Sequence, residues 1–147
     1  MSTGRRAIGY AGVDMDELEL TLDHITVSMQ DLPRAVAFYR DALAPLGLEL
    51  VGQVTAEASG SVAFAGFGRG RKGSFWLAER GAQTPPAHVC FRAGSRDAVR
   101  AFRQAALAAG GRDNGGPGTR PEYHDAYYAA FVLDPEGHNI EAVTFEP

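Results

Sequence analysis

The sequence predicts an α+β protein built from two tandem βαβββ modules, and three observations support this class. The chain has 147 residues, which is enough for one domain with a core of its own. Its content of 45% apolar and 22% charged residues is that of an ordinary globular protein. The chain also matches itself after a shift of 64 positions, and strand and helix patterns recur in the same order in both copies.

The internal repeat aligns distinctive residues without a gap. His24 falls on His88, and an aromatic residue, a leucine and a glycine also coincide. The further matches are Ile25 with Val89, Ala37 with Ala101, Phe38 with Phe102, Ala42 with Ala106, Leu43 with Leu107, Ala44 with Ala108 and Gly47 with Gly111. Alanine is common in this chain, so the His, Phe, Leu and Gly matches are the informative ones.

The first module, residues 21–83, begins with a short alternating segment at 24–29 that is typical of a strand. Asp31 is then placed to cap a helix whose apolar residues follow at helical spacing, and Gly47 is placed to end it. Three strand-like segments come next, at 48–54, 61–67 and 74–77.

The second module, residues 84–147, repeats this order after a Thr-Pro-Pro link at 84–86. A strand at 88–92 precedes a helix with Ser95 as its predicted cap and Gly110 and Gly111 at its end. The strands that follow are predicted at 112–115, 127–133 and 139–145. The Asp-Pro-Glu-Gly sequence at 134–137 is a turn signal that joins the last two into a hairpin.

Composition limits the partners of the protein. The net charge is −4 and the longest basic stretch is the short 69–72 segment, so we expect no nucleic-acid interface. The single Cys90 allows no intrachain disulfide, and the apolar stretches are too short to span a membrane. Because no apolar segment typical of a signal peptide follows the first arginines, we expect a cytoplasmic protein. Residues 1–20 form a polar lead-in, either an added strand or a frayed tail.

The two equivalent histidines, His24 and His88, lie near the start of equivalent strands and are expected to face each other across the seam between the modules. Glu141 lies within an apolar strand, where a carboxylate is costly to bury unless a cation pairs with it. That cation is either a divalent metal or an arginine, and a strand histidine is also compatible with a hydrogen-bonded core position. Cys90 is expected to point away from the metal and to be inert.

Four segments resemble the vicinal oxygen chelate superfamily, which includes glyoxalase I, extradiol ring-cleaving dioxygenases and the fosfomycin and bleomycin resistance proteins. They are Leu22–Val27, Arg34–Tyr39, Pro86–Val89 and Phe131–Glu141, and the resemblance extends from about Leu20 to Pro147. The Asp-Pro-x-Gly-His-x-x-Glu ending is specific to this superfamily. The resemblance implies a cup-shaped sheet of the glyoxalase/bleomycin resistance/dihydroxybiphenyl dioxygenase-like fold, and a homodimer.

The resemblance further implies that His24, His88 and Glu141 bind one divalent metal ion, which would be Fe, Mn, Zn, Ni or Co. Family members with a fourth protein ligand supply a Glu where this chain has Trp76 or Leu77, and Glu79 is out of register. This departs from glyoxalase I and leaves a two-His-one-Glu set similar to that of the extradiol dioxygenases and fosfomycin-modifying enzymes. Whether one chain or two chains enclose the site stays open.

The loop at 114–128 is predicted to select the substrate, because Gly and Pro are followed there by polar and aromatic residues. Arg120 is expected to bind an anionic or carbonyl oxygen. The further substrate-binding candidates are Asn114, Tyr123 and Trp76, and the catalytic candidates are Glu141, His124 and Tyr128. In the alternative interpretation the tyrosines cover the sheet and Arg120 pairs with Glu122 or Asp125.

Two functions follow from these residues. The first is a metal-dependent enzyme acting on a small oxygenated molecule, as a lyase or isomerase or as a dioxygenase. The alternative is a metal-free protein that binds a flat or cationic compound, as the bleomycin-binding members do. The retained ligand set favours the enzyme.

Overall fold

Two four-stranded mixed sheets, each with helices, make up the part of the chain that a computed structural model describes, residues 22–147. The predicted lead-in at 1–20 lies outside the described residues. The first module contains β1 Ile25–Ser28, α1 Leu32–Leu43, β2 Glu49–Val54, α2 Ala56–Ser59, β3 Phe64–Arg69 and β4 Lys72–Ala78. The second contains β5 His88–Arg92, α3 Arg96–Ala108, β6 Arg112–Thr119, β7 Tyr128–Leu133 and β8 Asn139–Thr144.

The two sheets have the same topology. The strand order is β1-β4-β3-β2 in the first module and β5-β8-β7-β6 in the second, with the first and last strands of each module parallel. The antiparallel hairpin of β7 and β8 forms around the predicted turn. The predicted βαβββ repeat is therefore confirmed.

The helix boundaries follow from local chemistry. The Asp31 carboxylate accepts a hydrogen bond from the Arg34 N–H at 3.0 Å, and Ser95 Oγ accepts one from the Ala98 N–H at 3.1 Å. These side chains satisfy amide groups that the first turn leaves without partners. After α1, a 3₁₀ turn at 44–46 leads into Gly47, whose φ of +78° only glycine adopts readily.

Two elements differ from the predicted pattern. Strand β6 continues through the Gly-Gly-Pro-Gly sequence to Thr119, where a loop was predicted, and its pairing with β7 shifts register twice. The glycines weaken a strand signal, but the irregular pairing accommodates them. Helix α2 has only four residues, none of them buried, so it has no apolar periodicity that could have revealed it.

Both sheets contribute to a common core. One face of each sheet packs with α1 and α3, and Phe75 of β4 meets Phe91 of β5 edge to face with ring centroids 5.2 Å apart. Strand residues alternate in direction, so the opposite face of each sheet points away from this core. We call it the helix-free face because neither α1 nor α3 covers it. No helix of the described residues is long and apolar enough to cross a membrane.

The turn between β7 and β8 fastens the second module to the first. Buried Asp134 accepts a hydrogen bond from the Tyr39 hydroxyl of α1 at 2.5 Å, and its other oxygen accepts from the Glu136 and His138 amides. The Glu136 carboxylate accepts from the amides of Gln30 and Asp31, just before α1. His138 Nδ1 accepts from the Ala87 N–H at 2.9 Å, so this histidine ties the turn to the residue before β5.

Candidate metal and ligand site

The helix-free face of the second sheet brings His88 and Glu141 together. In the pairing of β5 with β8, Glu141 lies opposite Cys90, two residues after His88, so all three share this face. His88 Nε2 lies 2.9 Å from Glu141 Oε2. The Glu141 side chain is only 2% exposed and that of His88 is 54% exposed. The carboxylate is therefore buried within the protein, whereas the imidazole is accessible to solvent.

Tyr127 supplies the second partner of Glu141, since its hydroxyl donates a hydrogen bond to Oε1. Sequence reasoning selected Tyr128 instead, and the structure places Tyr128 on the opposite face of the sheet. There its hydroxyl accepts from Arg100 at 2.8 Å and its ring lies under Arg96. Phe131 pairs with Glu141 in the hairpin, and residues two apart on a strand share a face. Positions 129 and 127 therefore lie on the face of Glu141, and this alternation would have identified Tyr127.

The expected orientation of Cys90 is wrong. Residues two apart on a strand share a face, so Cys90 lies on the side of His88 and Glu141 rather than away from them. Although Cys90 is exposed, the surrounding protein atoms partly desolvate its thiol, and this desolvation, followed by the neighbouring Glu141 carboxylate, raises the pKa of Cys90. The thiol is therefore protonated near neutral pH, which agrees with the expected low reactivity.

Arg120 lies against the same face. Its guanidinium packs over the Phe131 ring at 5.6 Å from the centroid and donates to the carbonyls of Gly116 at 2.8 Å and Thr119 at 3.2 Å. Among the described residues it pairs with neither Glu122 nor Asp125, the partners of the alternative interpretation. Its positive charge is thus oriented by backbone atoms and is not paired with a carboxylate from residues 22–147.

The other loop candidates surround this cluster. Tyr123 is 57% exposed and meets Tyr127 edge to face at 5.3 Å. His124 packs edge-on against Phe145, and its Nδ1 accepts from the Ala126 N–H at 3.0 Å. Asn114 donates to the Asn139 side chain at 3.1 Å, beside the strand position paired with His88.

His24 belongs to the helix-free face of the first sheet. Its Nδ1 is 2.5 Å from the Asp23 carboxylate, whose other oxygen pairs with Lys72. Those two partners lower the pKa of Asp23, Lys72 more strongly than His24. An open depression of about 570 Å³ lies here, lined in part by His24, Phe64, Lys72 and Trp76.

Trp76 occupies the place that Glu141 has in the other module. Thr26 is opposite Trp76 in the pairing of β1 with β4, and Cys90 is opposite Glu141 in the pairing of β5 with β8. Thr26 and Cys90 both lie two residues after the module's histidine. Leu77 points into the core, so the structure decides between the two residues that the sequence left open for the fourth-ligand position.

The structure does not bring the three predicted ligands together within one chain. Across residues 22–147, no group of three or more His, Cys, Asp or Glu side chains could hold a metal ion. The expectation that His24 and His88 face each other across the seam of one chain is therefore not met. The physical reason is that the two sheets pack into a common core, and the faces that carry His24 and His88 both point away from that core.

Paired mixed sheets of identical strand order, with a histidine on each helix-free face, define an α+β protein of the tandem βαβββ class. The chain belongs to the Glyoxalase/Bleomycin resistance protein/Dioxygenase superfamily, whose family model matches residues 21–142. The family predicted from the motifs is thus confirmed. None of the curated proteins compared with this chain matches it.

Solved structures share this fold, which confirms the predicted fold class. A glyoxalase/bleomycin resistance protein from Albidiferax ferrireducens T118 is 25% identical with a TM-score of 0.65, covering 84% of this chain and 97% of its own. A family enzyme from Burkholderia phytofirmans PsJN is 19% identical with a TM-score of 0.62, covering 85% and 98%. Glyoxalase I from Zea mays is 21% identical with a TM-score of 0.64, but the match covers 84% of this chain and only 46% of the maize chain.

Proposed function

We propose that this protein is a divalent-metal-dependent enzyme acting on a small oxygenated molecule, with His24, His88 and Glu141 as metal ligands. The observation that carries the proposal is the 2.9 Å separation of His88 Nε2 and Glu141 Oε2. Two donor atoms each about 2.1 Å from one ion and at a right angle to each other lie about 3.0 Å apart. The two side chains are therefore spaced as neighbouring ligands of one ion.

The contacts of His24 support the same role. A metal-bound histidine usually donates its second ring N–H to a carboxylate, which fixes the ring and raises its basicity. The Asp23 carboxylate engages Nδ1 of His24 in this way and leaves Nε2 as the ligating atom. Tyr127 acts similarly on Glu141 by holding Oε1 while Oε2 faces Nε2 of His88.

We further propose that two copies of the chain complete the site, with His24 from one copy and His88 and Glu141 from the other. This arrangement explains why the described part of one chain holds no three-ligand group. Within residues 22–147, the large apolar side chains that are exposed also lie near the predicted ligands. They are Leu22, two residues before His24, Val54, which lines the depression with His24, and Tyr123, which contacts Tyr127. A second copy would cover them.

The donor set fits a metal such as Fe, Mn, Zn, Ni or Co, since imidazole and carboxylate suit these ions. When bound, the ion would supply Lewis acidity toward substrate oxygens. Arg120 would attract an anionic or carbonyl oxygen beside Phe131. His124, whose Nδ1 accepts from a backbone amide, would use its remaining ring nitrogen, Nε2, for proton exchange with the bound molecule.

The test is metal content and metal binding of the purified protein. We expect close to one ion per site after purification without chelators, and a loss of it in His88→Ala. The proposal would be rejected if the metal-free protein bound none of the five ions.

A second function, metal-free binding of a small molecule, is favoured by Trp76 at the place of a fourth ligand. Tight binding of such a compound in the presence of a chelator would support it.

A further inference from the structure

The flat face of the Trp76 indole packs against the backbone at two glycines, Gly66 and Gly73. A Cβ atom added to Gly66 would lie 2.7 to 2.8 Å from three atoms of the indole, and one added to Gly73 would lie 2.7 to 3.0 Å from three others. Gly66 is the cross-strand neighbour of Trp76, and Gly73 precedes it on β4. Any side chain at either position would lift the ring, so the two glycines allow the flat orientation.

Two glycines within β3 and β4 lower the stability of this strand pair, unless another contact compensates. Glycine within a strand is destabilising relative to alanine, because the unfolded chain has more backbone freedom at a glycine. Glycine inside a strand often marks close approach of another group, and here that group is the indole. One face of the indole is covered by backbone, and Trp76 is only half-buried and lines the open depression. The other face is therefore turned toward whatever occupies the depression.

The charges around the indole indicate which ligands it receives. The depression is lined by Arg71, Lys72 and one carboxylate, Asp23, which is already paired with Lys72. An exposed indole face attracts both cations and aromatic rings. The excess positive charge at the rim disfavours a cation and favours anionic oxygens. The depression, at about 570 Å³, is of ordinary size for a small-molecule site.

His24 lies close enough to Trp76 to share a ligand with it. Trp76 is opposite Thr26, two residues after His24, and a rise of about 3.3 Å per residue with a strand spacing of about 4.8 Å puts the backbones about 8 Å apart. One aromatic ring with oxygen substituents spans that distance. We infer that the site takes a planar, conjugated ring carrying anionic oxygens, stacked on Trp76 with its oxygens toward His24. The position of the oxygens rests on the proposed metal function.

The test compares 2-naphthoate with its saturated counterpart, decahydro-2-naphthoate, by calorimetry on the full chain. Trp76 is the single tryptophan, so its fluorescence reports stacking directly. We expect the planar acid to bind at least tenfold more tightly and to change the fluorescence. Trp76→Leu should abolish the preference, and Trp76→Phe should restore part of it. Gly66→Ala, which keeps the indole but lifts it, should reduce the preference.

Equal affinity for the two acids, or a preference that survives in Trp76→Leu, would overturn the inference. Circular dichroism establishes that each variant is folded. The same preparations separate this inference from the metal function, because Trp76→Leu should keep the metal content of the wild type. A planar preference in protein that binds no metal would support the stacking inference while rejecting the metal proposal.

Discussion

Glu141 is almost fully buried, and its two oxygens contact the side chains of His88 and Tyr127. Tyr127→Phe removes only the hydroxyl that holds Oε1. We expect metal affinity to fall roughly 10- to 100-fold, the usual cost of losing a group that orients a ligand. Titration calorimetry of the metal-free protein measures this change.

Tyr128→Phe is the matched control for that variant. It removes a hydroxyl one residue away that faces the other side of the sheet and accepts from Arg100. We expect its metal affinity to stay within about twofold of wild type and its stability to change little, because the Arg100 guanidinium is exposed and water replaces the lost acceptor. Equal losses of metal affinity in the two variants would contradict the assignment of Tyr127.

Single residues show where sequence reasoning about the site succeeded and failed. The repeat and the motifs selected His88 and Glu141, which the structure places in contact. The choice of Tyr128 over Tyr127, and the orientation expected for Cys90, failed because they depend on which face of a strand a residue occupies. A shift of one residue reverses every face. For Cys90 the partner strand β8 lies about 50 residues away in the sequence, whereas for Tyr127 the adjacent hairpin carried the register.

The contact between Gly66 and the Trp76 indole predicts an energetic coupling within the β3–β4 pair. Gly66→Ala should destabilise the protein by about 1 to 3 kcal/mol, because the new methyl group meets the ring. In a Trp76→Ala background the same change should be neutral or stabilising. Urea unfolding of the two single variants and the double variant gives the coupling energy, and additive effects would show that the ring does not rest on Gly66.

At the scale of elements, caps and turns were predictable because their signals are local. Asp31, Ser95 and the 134–137 turn act within a few residues of their own positions. The extension of β6 to Thr119 was missed because its Gly-Gly-Pro-Gly sequence is typical of a loop, and pairing with β7 outweighs that preference. The Asp-Pro-x-Gly-His motif pointed to the family, and the structure explains its Asp and His as structural residues.

The attachment of that turn to α1 predicts the effect of Tyr39→Phe. The variant leaves buried Asp134 without its donor from the first module, so we expect the free energy of unfolding to fall by about 1 to 3 kcal/mol. Urea denaturation at pH 7 measures the loss. A change below about 0.5 kcal/mol would show that the bond between the modules contributes little.

The same hydroxyl predicts a dependence on alkaline pH. Burial first, and then the Asp134 carboxylate, raise the pKa of Tyr39 well above its ordinary value of 10.0. A raised folded-state pKa contributes stability that is fully present below pH 10 and is lost as the pH rises above it. The wild type should therefore lose stability above pH 10 more steeply than Tyr39→Phe does, as measured by urea denaturation between pH 8 and 11. Parallel curves would contradict this role for Tyr39.

At the scale of the molecule, one core serves both modules and turns the two helix-free faces outward. The sequence predicted both modules but could not fix how they are oriented, because the residues between them are apolar on both sides and carry no directional signal. This orientation separates His24 from His88 and Glu141 in one chain. A site with all three ligands therefore requires two copies, with the helix-free face of the first sheet of one copy opposite the helix-free face of the second sheet of the other.

Mixing two defective variants tests this arrangement. In a dimer of His24→Ala with His88→Ala, one site loses both histidines, and the other keeps His24 from one copy and His88 with Glu141 from the second. About half the dimers in an equal mixture are mixed, and each holds one intact site, so tight metal binding should recover to about a quarter of the wild-type level. Mixing His88→Ala with Glu141→Ala is the matched control, because these ligands come from the same copy and no intact site can form. Recovery in the first mixture alone would establish the shared site, whereas no recovery in either, with subunit exchange demonstrated by differently tagged chains, would show that each site belongs to one chain.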